Sequence, residues 1–331
     1  MRTFQTRRQF LTNLAWTGAG ATLLPAPRLL AAEPALETTT VRLGKIPVIC
    51  FAPQYVCEEL LRAEGFTEIR YVDADPFNYS VDAGRGKYDF CANVTPAHIA
   101  AFAAGASMAI LAGVHAGCYE LFGHDGIRGM ADLKGKRIGT GAAADLIQIM
   151  AAYVGLDPKK DVTIVTDPSG KALEDFAQRK LEAYMGLPPE PQILHARGFR
   201  QPIVRTAVDP PWSQYFCCTL AGNREFIAKY PVAAKRVVRA MLKAADLCAS
   251  EPERAARRLV EGGFTPQYDF ALQTLNENPY GHWREYDAED SVRFYALRLH
   301  ELGVIKKTPQ RIIAEGTDWR FLNELKRELK A

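Results

Sequence analysis

The groups in this 331-residue chain whose types and spacing could do chemistry are a small-residue turn, polar strand ends and two aromatic clusters. Thr140-Gly141-Ala142-Ala143-Ala144 joins a strand to a helix with small side chains only. Such a turn leaves backbone N–H groups at the positive end of a helix dipole, which is a seat for an anion. The same residues also suit an ordinary tight turn, with Asp145 already answering the dipole from the first helical turn. Asn93 and Thr95 close another strand: Asn93 offers a donor and an acceptor to a polar ligand edge, and Thr95 reads first as a helix cap. Lys45, in the turn after the first strand, could pair with an anionic solute or simply be solvated, and Gln54 lies just inside the helix that follows.

A second group is aromatic. Tyr119 with Glu120, and Trp212 with Gln214 and Tyr215, fall where the chain should cross between two α/β units. Rings there could stack on a flat heterocycle while Glu120 meets an amine or ring N–H, or they could only pack between strands. Tyr184 and Met185, at a strand end before Pro188-Pro189, would form the opposing wall.

Catalytic and metal chemistry have little support in the spacing. The six histidines show no close metal-ligand pairing, and no cysteine pair has C-x-x-C spacing. No nucleophile elbow, P-loop or dinucleotide fingerprint occurs, so no enzyme, metal site or cofactor is expected. Seven cysteines, an odd number, sit mostly in apolar patterns and read as small buried hydrophobes. Cys217 and Cys218 are adjacent on a strand, where successive side chains point to opposite faces, which argues against both binding one metal.

The elements that must position these groups alternate regularly. Strand patterns at Val41 to Ile46, Glu68 to Val72, Tyr88 to Val94 and Met108 to Val114 are separated by helical ones, predicting a parallel sheet covered on both faces. The alternation restarts at Arg137 to Thr140 and runs through Val162 to Val165, Leu181 to Met185 and Pro202 to Val208. From Asn223 the pattern is helical, with amphipathic runs at Pro231 to Ser250, Glu251 to Glu261 and Ser291 to Leu302. These helices have no strands of their own and should pack on the first unit. The expected division is lobe 1 at 38–120 and 217–331, interrupted by lobe 2 at 121–216.

The N-terminus reads as an address. Arg7-Arg8-Gln9-Phe10-Leu11 precedes a short apolar stretch and an Ala31-Ala32 step, the layout of a twin-arginine signal over 1–32. Its removal takes away four arginines and no acid, moving the formal charge from +3 to −1. The remaining chain is nearly neutral, which gives no reason to expect nucleic acid as a partner.

Several segments together resemble the nitrate/sulfonate/taurine branch of ABC solute-binding proteins, which includes thiamine-precursor receptors and a fungal pyrimidine-synthase relative. They are Val41-Arg42-Leu43-Gly44, Tyr88 to Gly105, Asp132-Leu133-Lys134-Gly135-Lys136-Arg137-Ile138-Gly139, Glu182 to Gly186 and the aromatic crossover before Phe216. The resemblance implies a type II periplasmic-binding-protein fold: two α/β lobes, a hinge, and a ligand cleft between them. It implies a monomeric periplasmic receptor that hands an organic anion or a nitrogen heterocycle to an ABC permease and its ATPase. Phe216-Cys217-Cys218 is similar to only part of the cysteine-rich iron segment of the pyrimidine synthase, so an exported metal-dependent enzyme is the alternative, and a receptor for a membrane sensor is another.

Overall fold

The computed structural model describes residues 33–329, so the twin-arginine segment expected at 1–32 lies outside the described residues. From Leu36 onward the chain is a single compact unit built around two five-stranded sheets. The strands are β1 (Thr40–Lys45), β2 (Glu68–Asp73), β3 (Phe90–Val94), β4 (Met108–Ala116), β5 (Glu120–Gly123), β6 (Lys136–Thr140), β7 (Val162–Thr166), β8 (Ala183–Gly186), β9 (Val204–Arg205) and β10 (Phe216–Asn223). One sheet has the order β2-β1-β3-β10-β4 and the other β7-β6-β8-β5-β9.

This is a type II periplasmic-binding-protein fold. The strands of the alternation that restarts after residue 130 all lie in the second sheet, which begins with β5 and shares no strand with the first. Neither sheet is purely parallel, as the alternation had suggested. β10 runs antiparallel to β3 and β4, and β5 runs antiparallel to β8 and β9, because these strands enter directly from crossovers rather than through a covering helix.

Burial explains the strand composition. Every residue of β4 and β10 is buried, and both strands are mostly apolar because helices cover both faces. The Pro231–Ser250 helix lays Ala233, Val237, Ala240, Met241 and Ala244 against the first sheet and its helices. Three details differ from the sequence pattern. The helix that carries Gln54 stops at Cys57 and a second begins there, giving Ala52–Val56 and Glu58–Ala63, and short helices at Tyr79–Gly84 and Glu190–Ala196 carry too few residues to show a period.

Two crossovers link the sheets, at Gly117–Tyr119 and over 206–215. The Thr206 hydroxyl accepts the N–H of Cys118 (3.0 Å) and of Tyr119 (2.8 Å) and donates to the Tyr119 carbonyl (3.0 Å). Gly117 has φ +39°, and a Cβ there would meet the Thr206 carbonyl oxygen at 2.2 Å, so only glycine lets the two strands lie this close. No described helix is long and apolar enough to cross a membrane.

Candidate functional site

A cavity of about 40 Å³ opens between the two sheets. The Thr95–Ala103 helix reaches it through Pro96 and Ala97, and the turn before the Ala144–Tyr153 helix and the helix's first turn reach it through Ala142, Ala143, Asp145 and Leu146. Tyr119 from the first crossover, Cys217 from β10 and Tyr295 from the Ala288–Glu301 helix close the remaining sides. Two helix starts therefore lie on one space, as expected where strands end and helices begin. Asp145 is the one charged residue among the ten that line the cavity; burial raises its carboxyl above the usual range. Among the described residues no lysine, arginine or histidine lines it.

Three of the residues singled out in the sequence lie on this cavity: Tyr119, Ala142 and Ala143. Thr140 and Gly141 adjoin it but are committed locally. The Thr140 hydroxyl accepts the Ala143 N–H at 2.9 Å, and a Cβ on Gly141 would meet Glu190 Oε1 at 2.7 Å. Glu190 thus stands against the turn that was read as an anion seat. Its carboxyl accepts the Leu187 N–H at 3.1 Å, and burial pushes its pKa up to about 7.

The other candidates are structural or face elsewhere. Gln54 is fully buried, donating to the Gly44 carbonyl (2.7 Å) and the Tyr79 hydroxyl (3.2 Å) while accepting the Ala92 N–H (2.6 Å). Asn93 donates to the Ser80 hydroxyl (2.8 Å) and accepts the Val94 N–H (2.8 Å), so each end of its amide already holds one protein partner. Thr95 does not cap its helix; its hydroxyl donates toward the carbonyls of Phe216 and Cys217 and ties the helix start to β10. Lys45 lies 3.8 Å from Asp73 and over the Phe264 ring, away from the cavity.

Glu120 faces the far side of the crossovers, bonded to His195 Nε2 (2.7 Å) and Arg205 Nε (3.3 Å), with burial raising its carboxyl. Tyr184 and Met185 are wholly buried, Tyr184 beside Phe176 in the second sheet's own core. Trp212 is buried between Tyr153 and Phe294, and Tyr215 stacks on Phe294 at 4.0 Å. These rings pack against each other because their helix partner, hidden in the amphipathic run after Ser291, turns its aromatic face inward. Tyr295, from the same run, and Leu146 were not foreseen as cavity residues, since a lone ring or leucine in a helical pattern carries no signal of what it faces.

All seven cysteines are buried and free. The strand rule predicted Cys217 and Cys218 on opposite faces, but β10 changes register between Phe216 and Cys218. A bulge of this kind breaks the alternation. Cys217 Sγ lies 3.4 Å from Cys118 Sγ, and Cys218 offers its sulfur to a group with Cys50, His115 and Cys118 whose ligand atoms all lie within 4.8 Å of one another. Spacing along the chain could not show this group, because its members come from three separate stretches.

Over residues 34–261 the sequence matches the NMT1-like family. The chain belongs to that family. Among curated proteins no sequence matches it. The fold of this NMT1-like protein is shared with the periplasmic nitrate-binding protein NrtA of Synechocystis PCC 6803, at 14% identity and a TM-score of 0.74, covering 90% of each chain. It is also shared with the alkanesulfonate-binding protein SsuA of Xanthomonas axonopodis pv. citri, at 20% identity and a TM-score of 0.67 over 82% of this chain and 96% of that one. The aliphatic sulphonate-binding SsuA of Escherichia coli aligns at 17% identity and a TM-score of 0.66 over 86% and 91%.

Proposed function

We propose that this NMT1-like protein is the periplasmic receptor of an ABC importer, exported by the twin-arginine route and working as a monomer. It captures a flat nitrogen heterocycle by closing lobe 121–216 onto the lobe formed by 38–120 and 217–331. The observation that carries the choice of ligand is the lining of the cavity. Its only charge is the acidic Asp145, and Tyr119 and Tyr295 supply rings. The fold relatives are named for nitrate and sulfonates. A sulfonate or carboxylate here would meet Asp145, with Glu190 behind the neighbouring turn, and no cation to pair with. A heterocycle has the right mixture of groups: ring N–H or amino donors for Asp145, lone pairs for the amides at the two helix N-termini, and a face for the tyrosines.

The cavity of about 40 Å³ has room for little more than water. Entry of a ring therefore requires the lobes to part at the two crossovers, and binding energy then favours the closed state that a permease would read. No bond is made or broken in this cycle.

Calorimetry of the mature protein against pyrimidines, other amino-substituted heterocycles, sulfonates, carboxylates and nitrate tests the reading. Heterocycle binding that weakens at least about tenfold in Asp145→Asn is the expected result, since a hydrogen bond to a charged group contributes about 1.5–3 kcal/mol. Binding of sulfonate or nitrate with no response to any heterocycle would refute the choice of ligand. Co-purification with a permease separates an importer from a membrane sensor.

A further inference from the structure

We infer that Cys50, His115, Cys118 and Cys218 form a structural metal site that takes one divalent cation of the zinc class. Cys50 lies in the short turn Ile49–Phe51, His115 near the end of β4, Cys118 where the chain leaves β4 for the first crossover, and Cys218 on β10. Each offers one ligand atom, all four atoms lie within 4.8 Å of one another, and none of the residues is more than 4% exposed. Around a tetrahedral zinc, with Zn–S near 2.3 Å and Zn–N near 2.0 Å, ligand atoms stand roughly 3.5–3.8 Å apart. The group needs only a small contraction to reach that geometry.

His115 supplies an independent observation. Its Nδ1 is 3.2 Å from the Ala116 carbonyl, which can only accept, so Nδ1 carries the hydrogen. Nε2 then holds a lone pair and has no hydrogen-bond partner although it is buried. An unsatisfied buried acceptor is expensive, whereas a ring whose Nδ1–H is held by a carbonyl is oriented to ligate through Nε2. Cys50 is braced too, its carbonyl accepting the Tyr280 hydroxyl at 2.9 Å.

The donor set selects the metal. Three thiols and one imidazole suit a borderline-soft tetrahedral ion, and hard cations that want oxygen find none here. On binding, each thiol releases its proton to solvent and the neutral imidazole releases none. Four protein ligands leave no open position, so the site is structural rather than catalytic. Its effect is to pin the first crossover to β10 at the floor of the cavity, which the neighbouring Cys217 lines. It stands whether or not the ligand proposed above is correct.

The test is metal analysis of mature protein purified without chelator, followed by refolding with cobalt(II). About one zinc per chain, and a thiolate-to-cobalt charge-transfer band with tetrahedral visible absorption, are expected. Cys218→Ser should abolish the band and weaken zinc at least about tenfold, while Cys248→Ser, a buried cysteine outside the group, should leave both unchanged. Should Cys218→Ser fail to fold, the wild-type cobalt spectrum decides alone. Absence of zinc and of the cobalt band, with identical melting in zinc and in chelator, would overturn the site, and so would a Cys118–Cys217 disulfide in the native protein. Solute binding measured on the same samples keeps the two proposals separable, since its loss at full metal content bears only on the ligand.

Discussion

Thr206 and Tyr119 clasp the two crossovers together: the threonine hydroxyl accepts the Tyr119 N–H at 2.8 Å and donates to its carbonyl at 3.0 Å. A backbone bond from the Thr206 N–H to the same carbonyl, at 2.9 Å, completes the clasp. Thr206→Val keeps the shape and the backbone bond but strands the buried N–H groups of Cys118 and Tyr119. Loss of about 1–3 kcal/mol in urea unfolding is expected. An unchanged midpoint would mean that these amides find other partners.

Trp212 is held between Tyr153, on the helix that follows β6, and Phe294, on the Ala288–Glu301 helix, which packs on the Thr95–Ala103 helix. Such a ring serves packing before it serves a solute. Trp212→Ala should destabilise the free protein by about 3–5 kcal/mol in denaturant titrations. A melting temperature equal to wild type, with only solute affinity reduced, would place the ring in the binding site instead.

His98 reports on acid stability. Its Nε2–H donates to the Thr219 carbonyl (3.2 Å), its Nδ1 accepts from Ser80 (2.9 Å), and burial lowers its pKa to about 4. The unfolded chain binds this proton near pH 6.5, so the stability His98 contributes is complete above pH 6.5 and is lost as pH falls through about 4. The loss amounts to roughly 3 kcal/mol over that window. His98→Gln should remove this loss, so that in urea titrations the variant gains about 2–3 kcal/mol on wild type between pH 7 and pH 4.5.

Glu190 works in the opposite direction. Burial raises its pKa to about 7, so its favourable contribution is complete below about pH 4.5 and is lost as pH rises through 7. Glu190→Gln should therefore stabilise the protein at pH 8, by up to about 3 kcal/mol, and change little at pH 4.5. The two groups nearly offset each other in wild type, and only the single variants expose them. Equal melting of Glu190→Gln and wild type at pH 8 would show the carboxylate to be well solvated.

The sequence by itself determined the elements and their grouping. Apolar period and turn residues are local properties, so β1, β4, β6 and the Pro231–Ser250 helix stood where the pattern put them, and the restart after residue 130 marked a second sheet. Small side chains at Ala142 and Ala143 also marked a helix start, and that start does face the cavity.

The tertiary structure decided which polar groups are free. Gln54, Asn93 and Thr95 look available in the chain, yet each is used by a neighbour remote in sequence: Gly44 and Ala92, Ser80, and Phe216. The same holds for the sulfur cluster. Cys50, His115, Cys118 and Cys218 meet only because β10 returns from the second sheet between β3 and β4, with a register shift that turns two successive cysteines toward Cys118. Whether a hydrogen-bonding group is satisfied depends on what lies within about 3 Å of it, and distance through space is set by strand order, which no local pattern encodes.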